Sequence, residues 1–240
     1  MDIKKDDAIR QYLPTGRLRI YEASCGKGEL AHELVRQGHD VVVSNVGRGG
    51  LTFDLPDERI VDLNGPLPFA DGEFDVIIMR EVMEHLEDIP NALRECLRCL
   101  RPGGRLIATI PNRLQFRSRL FHLFTCFYNG LRAPLNLDMH MGNGHINLIG
   151  LPELDFFLTK IGFKNPRYGA SRMKGGDYLM LAFWPLCWAA TRYYLFDYKK
   201  SAENHRKDRP GDIAYNKRIA AALLSIPVFV GKDLILCAEK

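Results

Sequence analysis

The feature that most constrains this chain is the alternation of short apolar runs with helix-periodic stretches through its first 110 residues. Residues 18–23, 41–45 and 75–80 (DVIIMR) are strand candidates, 60–62 is a shorter one, and 105–110 closes the series. Residues 29–37 and 90–100 carry apolar positions at a period near 3.6, and Arg101-Pro102-Gly103-Gly104 ends the second of these. The strand candidates are apolar throughout and do not alternate. That combination predicts an α/β fold, with a parallel sheet covered on both faces by helices.

Regularity fades beyond Pro111. Residues 112–147 are rich in aromatics, Arg, Gly and His; a helix is expected at 152–161 (PELDFFLTKI), with strands at 163–168 and 233–239. Between those strands lie two apolar runs, 178–191 (YLMLAFWPLCWAAT) and 219–231 (IAAALLSIPVFVG). A membrane-spanning helix needs about 20 apolar residues. Neither run reaches that, and Pro185 and Pro227 interrupt them. With 240 residues and no internal repeat, one domain over 1–240 is expected. It divides into a core at 1–110, a lid or loop at 112–148 and a hydrophobic helical insertion at 173–230.

The N-terminus (MDIKKDDAIR) is charged and lacks an apolar h-region, which points away from a secretory signal and makes the cytoplasm the default. The six cysteines agree, since they lack a disulfide-framework spacing. Cys96 and Cys99 form a CxxC pattern, but it lies in a helix-like run with Leu93, Cys96, Leu97 and Leu100 on one face and no second Cys or His pair accompanies it, so core packing is the expectation.

Residues 20–30 (IYEASCGKGEL) place two glycines, Gly26 and Gly28, directly between a strand and a helix. Such a turn admits a ligand close to the backbone, and the helix start offers free N–H groups. The pattern Gly26-x-Gly28-x-x-Ala31 also satisfies the loose dinucleotide fingerprint, so the glycines alone leave a nicotinamide cofactor open. Together with residues 67–89 (LPFADGEFDVIIMREVMEHLEDI) and 100–104 (LRPGG), however, the stretch resembles class I S-adenosylmethionine (SAM)-dependent methyltransferases. The likeness is strongest to the ubiquinone-pathway type of small-molecule methyltransferase, through the E-x-x-E-H pattern at Glu81, Glu84 and His85.

The resemblance implies a Rossmann-like, seven-stranded, mostly parallel sheet and a SAM-binding core at 1–110. It carries cofactor contacts onto particular residues. Glu22 would hold the SAM ammonium through water or the loop, the backbone at Ser24, Gly26 and Gly28 would lie along the methionine portion, and Asp62 would accept from the adenine amino group beside Leu63. Met79 and Arg80 would line the cofactor near its sulfur. Two positions depart from the family pattern: Ser24 stands where glycine is usual, and Asn45 stands where an acid usually takes both ribose hydroxyls. A charge-assisted hydrogen bond is worth about 1.5–3 kcal/mol, so weaker SAM binding is one consequence, and a binding or interaction protein without activity is the alternative.

If the chain is an enzyme of this kind, the reaction is in-line methyl transfer, expected to an oxygen on a small, lipid-linked or glycan acceptor. His145, His85 and His140 are the candidate bases, each weighed against a purely structural role. Glu84, His85 and His145 also offer metal-ligating atoms, but their spacing specifies no metal site and none is assigned. Nucleic acid is disfavoured as a substrate, because the position after the fourth strand reads MREV and not the (Asp/Asn)-Pro-Pro-aromatic signature of DNA-amino methylating enzymes. For the insertion two readings stand: a lid or enlarged core, or contact with a membrane through 178–200 from the inner face. The second draws on Trp184, Trp188, Tyr193, Tyr194, Phe196 and Tyr198 followed by Lys199 and Lys200, and on Arg113, Arg117 and Arg119 among Phe116, Phe121 and Phe124. Charge agrees with an anionic partner: residues 112–132 carry +4 and 164–218 carry +7, against −7 for the rest of a chain whose net charge is +4.

Overall fold

A computed structural model describes residues 5–47, 50–128, 144–171, 175–205 and 210–240. Its centre is one seven-stranded sheet in the order β3-β2-β1-β4-β5-β7-β6. The strands are β1 (Arg19–Ala23), β2 (Asp40–Asn45), β3 (Glu58–Ile60), β4 (Phe74–Arg80), β5 (Leu100–Pro111), β6 (Lys164–Ser171) and β7 (Asp233–Glu239). Pairings from β3 through β5 are parallel, and β7 runs antiparallel to both neighbours. This is the expected Rossmann-like class I methyltransferase architecture.

The uniformly apolar strands have the predicted cause. Side chains alternate between two buried faces, so neither face can be polar. Tyr21, Ile77, Met79 and Leu106 enter one core with α3 (Ile89–Cys99) and α5 (Leu151–Ile161). Ile20, Val76, Ile78 and Ile107 enter the other with α1 (Lys5–Arg10) and α2 (Glu29–Arg36). Cys96 and Cys99 are buried in the first core as free thiols, as packing predicts.

Three strands differ from the sequence expectation by two residues or more, among them β6, which runs on to Ser171. β3 ends at Ile60, because the half-exposed edge position at 58–60 gives a weak apolar signal. β5 begins at Leu100, where the Pro-Gly-Gly stretch continues the strand through an irregularity opposite Phe74 and Val76. The described residues of the insertion are helical except for a turn at Leu224 and Ser225: α6 (Gly175–Tyr178), a 3₁₀ turn at Leu179–Phe183, α7 (Trp184–His205), α8 (Pro210–Leu223) and α9 (Ile226–Val230). Pro185 and Pro227 open helices and do not break them, since a first-turn position needs no backbone donor. α4 (Phe116–Thr125) follows β5.

Candidate functional site

The chain connection crosses from the β3 side of the sheet to β4 between β1 and β4, and at such a switch point the loops diverge and leave a crevice beyond the strands' C-terminal ends. A cavity of about 310 Å³ lies there, lined by Ser24, Gly26, Asn45, Asp62, Leu63, Glu81 and His85 among others. Sequence reasoning missed Val46, Asn64, Val82 and Leu86, which line it too. Val46 sits one residue past a named site position, and Asn64 two past another, so proximity was the available signal.

The loop after β1 is built on left-handed backbone. Ser24 (φ 49°), Gly26 (φ 61°) and Gly28 (φ 78°) all have positive φ. Gly28 is required twice over, since a Cβ there would meet Leu55 at 2.8 Å and Leu51 at 3.0 Å. At Gly26 a Cβ would meet no protein atom within 4 Å, so the space beside it is open to a ligand. Ser24 adopts a conformation that costs a non-glycine residue about 1–2 kcal/mol. Asn45 clamps the same loop: its Oδ1 accepts from the Gly26 N–H at 3.0 Å and its Nδ2 donates to the Gly26 carbonyl at 3.2 Å. A carboxylate could not make the second bond. The departure at Asn45 therefore exchanges a charged ligand contact for a neutral brace on the loop.

Beneath the loop, Glu22 is fully buried. Neither carboxylate oxygen has a hydrogen-bond partner among the described residues, and burial pushes the carboxyl up to about 7. Arg80 Nε at 3.7 Å and the Ala31 amide at the start of α2 offset part of that cost. Arg80 is itself committed to Asp6 at 3.0 Å and to the Cys25 carbonyl at 3.4 Å. Met79 does not line the cavity. Strand alternation turns it to the opposite face, where it is buried and accepts from Cys96 Sγ at 3.8 Å. Asp62 is exposed at the cavity and folds its Oδ1 back onto the Asn64 N–H at 2.9 Å.

The other wall carries the histidines. Glu81 has φ 57°, and its carboxylate is held by Lys5 Nζ at 2.7 Å and by Thr109 Oγ1 at 3.1 Å. Glu84 is buried, and both its oxygens lack a hydrogen-bond partner among the described residues. Desolvation, reinforced by Glu81, pushes its carboxyl up to about 8. His85 Nδ1 lies 3.0 Å from the Gly144 carbonyl oxygen. A carbonyl only accepts, so Nδ1 carries the proton and Nε2 keeps a lone pair. Burial lowers the His85 pKa, which favours that neutral form. His145 packs edge-on to His85 with ring centroids 4.9 Å apart. Ligating atoms of Glu84, His85 and His145 all lie within 4.8 Å of one another, so the three could hold a divalent cation. Their sequence spacing, 60 residues from His85 to His145, gave no warning of this. His140 lies outside the described residues.

Residues 21–108 match the methyltransferase domain family. Over that stretch the chain is similar to SAM-dependent methyltransferases. A probable S-adenosylmethionine-dependent methyltransferase of Mycolicibacterium smegmatis is 34% identical over 102 residues, 40% of this chain and 39% of that protein. A ubiquinone biosynthesis O-methyltransferase of Cereibacter sphaeroides is 32% identical over 113 residues, 42% of this chain and 44% of that protein. The chain thus spans about two fifths of the length of these relatives. In fold it is similar to a SAM-dependent methyltransferase from Archaeoglobus fulgidus, with TM-score 0.59 at 14% identity over 98% of this chain and 93% of that one. The match to the domain family, at residues 21–108, falls on the core half of the sheet. The residues of this chain also fit SAM as cofactor, because the open face at Gly26 and the only partly compensated Glu22 carboxyl suit a ligand that brings positive charge to the loop.

Proposed function

We propose that this chain transfers a methyl group from SAM to a hydroxyl oxygen of a small, lipid-linked acceptor. The observation that carries this reading is the pairing, across one cavity, of the glycine loop at Ser24 and Gly26 with His85, behind which lie His145 and Glu84. Bound SAM supplies a methyl already activated by its sulfonium. In-line transfer of that methyl to the acceptor oxygen would leave the electron pair of the carbon–sulfur bond on sulfur. The hydroxyl proton must leave, and His85 Nε2, neutral and held by Gly144, is the group placed to take it, with His145 against its ring edge. Glu22, Ser24, Gly26 and Gly28 would hold the methionine portion, and Asp62 and Leu63 the adenine. Asn45 contributes by bracing the loop. Alignment lowers the barrier to such a displacement the most, by up to about 7–11 kcal/mol, and a base adds roughly 10²–10⁴-fold.

A second reading is favoured by Glu84. A carboxyl without partners beside two imidazoles is the environment that a divalent cation would stabilise, and a cation there would lower the pKa of an acceptor hydroxyl. Assays with methyl-labelled SAM, lipid and aqueous metabolite extracts, and added Mg²⁺, Mn²⁺ or chelator test both. Label in the lipid fraction supports the proposal, and loss with chelator selects the cation. Label confined to the aqueous fraction contradicts a lipid-linked acceptor. No transfer despite SAM binding favours an inactive scaffold.

A further inference from the structure

We infer that Asn147 is a positioning residue of the site: it clamps residues 144–147 onto the turn that bears His85, and so fixes which nitrogen of His85 carries the proton. The inference rests on the reading of His85 as base given above and adds the residue that holds it. Residues 144–150 form neither helix nor strand, so no regular ladder of backbone hydrogen bonds fixes them. Two features of the site depend on them all the same. The Gly144 carbonyl lies 3.0 Å from His85 Nδ1, and the His145 ring packs against the His85 ring.

The contacts that hold this segment converge on Asn147. Its backbone N–H donates to the Glu84 carbonyl at 3.0 Å. Its side-chain Nδ2 donates to the Leu86 carbonyl and reaches the Glu87 carbonyl at 3.4 Å. All three acceptors belong to the chain in and just after the 3₁₀ turn Met83–His85. Local sequence explains why two of them are available. In a helical ladder the Leu86 carbonyl would accept from residue 90, but Pro90 has no N–H. The Glu87 carbonyl would accept from Asn91, whose N–H goes instead to the Asp88 side chain at 2.9 Å as the cap of α3. Both carbonyls therefore need a donor from elsewhere, and an amide suits the place because its one nitrogen carries two.

The clamp acts on His85 at one remove. With Asn147 seated, the Ile146 N–H and His85 Nδ1 both meet the Gly144 carbonyl at 3.0 Å. That oxygen only accepts, so it keeps the imidazole proton on Nδ1 and leaves Nε2 as the nitrogen able to take one. The far end of the segment is tied separately, by Arg113 Nη1 donating to the Leu148 carbonyl at 2.6 Å. Loss of the Asn147 amide would thus free residues 144–147 while Leu148 stays in place. His85 would keep its own backbone in the turn and lose the acceptor that sets its tautomer.

The test is NMR of the full chain with isotope-labelled histidine, recorded with the imidazoles neutral and with His85→Gln to identify the His85 signals. It is run beside transfer of label from methyl-labelled SAM into a lipid extract. Wild-type His85 should carry its proton on Nδ1. In Asn147→Ala, and in Asn147→Asp, whose carboxylate cannot donate, that signature should give way to a proton on Nε2. The initial transfer rate should fall with it, by up to about 10²-fold, while SAM affinity in calorimetry stays at the wild-type value. A proton on Nε2 in the wild type would overturn the inference without any variant, so a substitution that fails to fold leaves it decidable. An unmoved His85 proton or an undiminished rate in folded Asn147→Ala would overturn it as well, and would reduce Asn147 to a structural brace. His85→Gln with undiminished transfer would contradict the base reading of the proposed function instead, and the tautomer is measured independently of that result.

Discussion

Strands β1 and β4 bury nearly every side chain they carry, whereas α7 leaves Leu186, Tyr193, Tyr194 and Phe196 to solvent. Both regions are strongly apolar, and composition alone makes them look alike. What separates them is the number of covered faces. A strand inside a parallel sheet is closed by helices above and below, so its apolar residues are consumed by the fold. α7 touches the rest of the protein along one stripe, so its apolar residues outnumber its internal contacts. The first region holds the site and the second has surface left to offer.

Substitutions can break or sharpen that contrast. The largest effect belongs at the site: His85→Ala should lower kcat by roughly 10²–10⁴-fold while leaving SAM affinity unchanged in calorimetry. Undiminished turnover would remove His85 as the base. Next come the two kinds of apolar residue. Leu93→Ala, fully buried in the core, should cost about 2–5 kcal/mol in denaturant unfolding. Leu186→Ala, exposed on α7, should fall within about 0.5 kcal/mol of the parent. Equal losses would mean that α7 is core after all.

The seam between the regions is intermediate. Asp155 of α5 is buried and takes two bonds from Arg218 of α8, at 2.8 and 2.5 Å, and one from Tyr168 at 2.7 Å. Asp155→Asn should cost about 2 kcal/mol, tempered because Arg218 is half exposed. Limited proteolysis should then cut within the insertion before the core.

The pH dependence separates the regions again. Glu84 and Glu22 are raised from an ordinary 4.5 to about 8 and about 7. Folded protein therefore keeps these protons where the unfolded chain has lost them. Their stabilising contribution is full below about pH 4.5 and is lost as pH rises through 7 to 8. Thermal melts from pH 5 to 8.5 should fall accordingly, and Glu84→Gln should flatten the curve. The smallest effect is local. Ser24→Gly should stabilise by up to about 1 kcal/mol, as relief of positive φ outweighs glycine's extra freedom in the unfolded chain.

Much of the core was legible because its signals are local. Apolar runs marked β1, β2 and β4, and the pair Gly26 and Gly28 marked the loop between β1 and α2. Edge strand β3 was blurred, since Glu58 and Ile60 are exposed and leave no pattern. Long-range pairings were invisible. Nothing in the spacing joins Lys5 to Glu81, Asp6 to Arg80, or His145 to Glu84, yet these contacts decide which acids are neutralised and which are left bare. Met79 was misplaced for a simpler reason: strand parity sends its side chain away from its neighbour Arg80. For α7, apolar content was plain, but the uncovered face depends on what packs against it.

The central claim is that the cavity at the ends of β1 and β4 is a SAM site braced by Asn45. Calorimetric titration with SAM and with its demethylated product tests it most directly, on wild type, Asp62→Ala and His85→Ala. The account predicts micromolar binding of both ligands to wild type, weaker binding to Asp62→Ala and unchanged binding to His85→Ala. Absence of binding by either ligand, or equal affinity for wild type and Asp62→Ala, would contradict it.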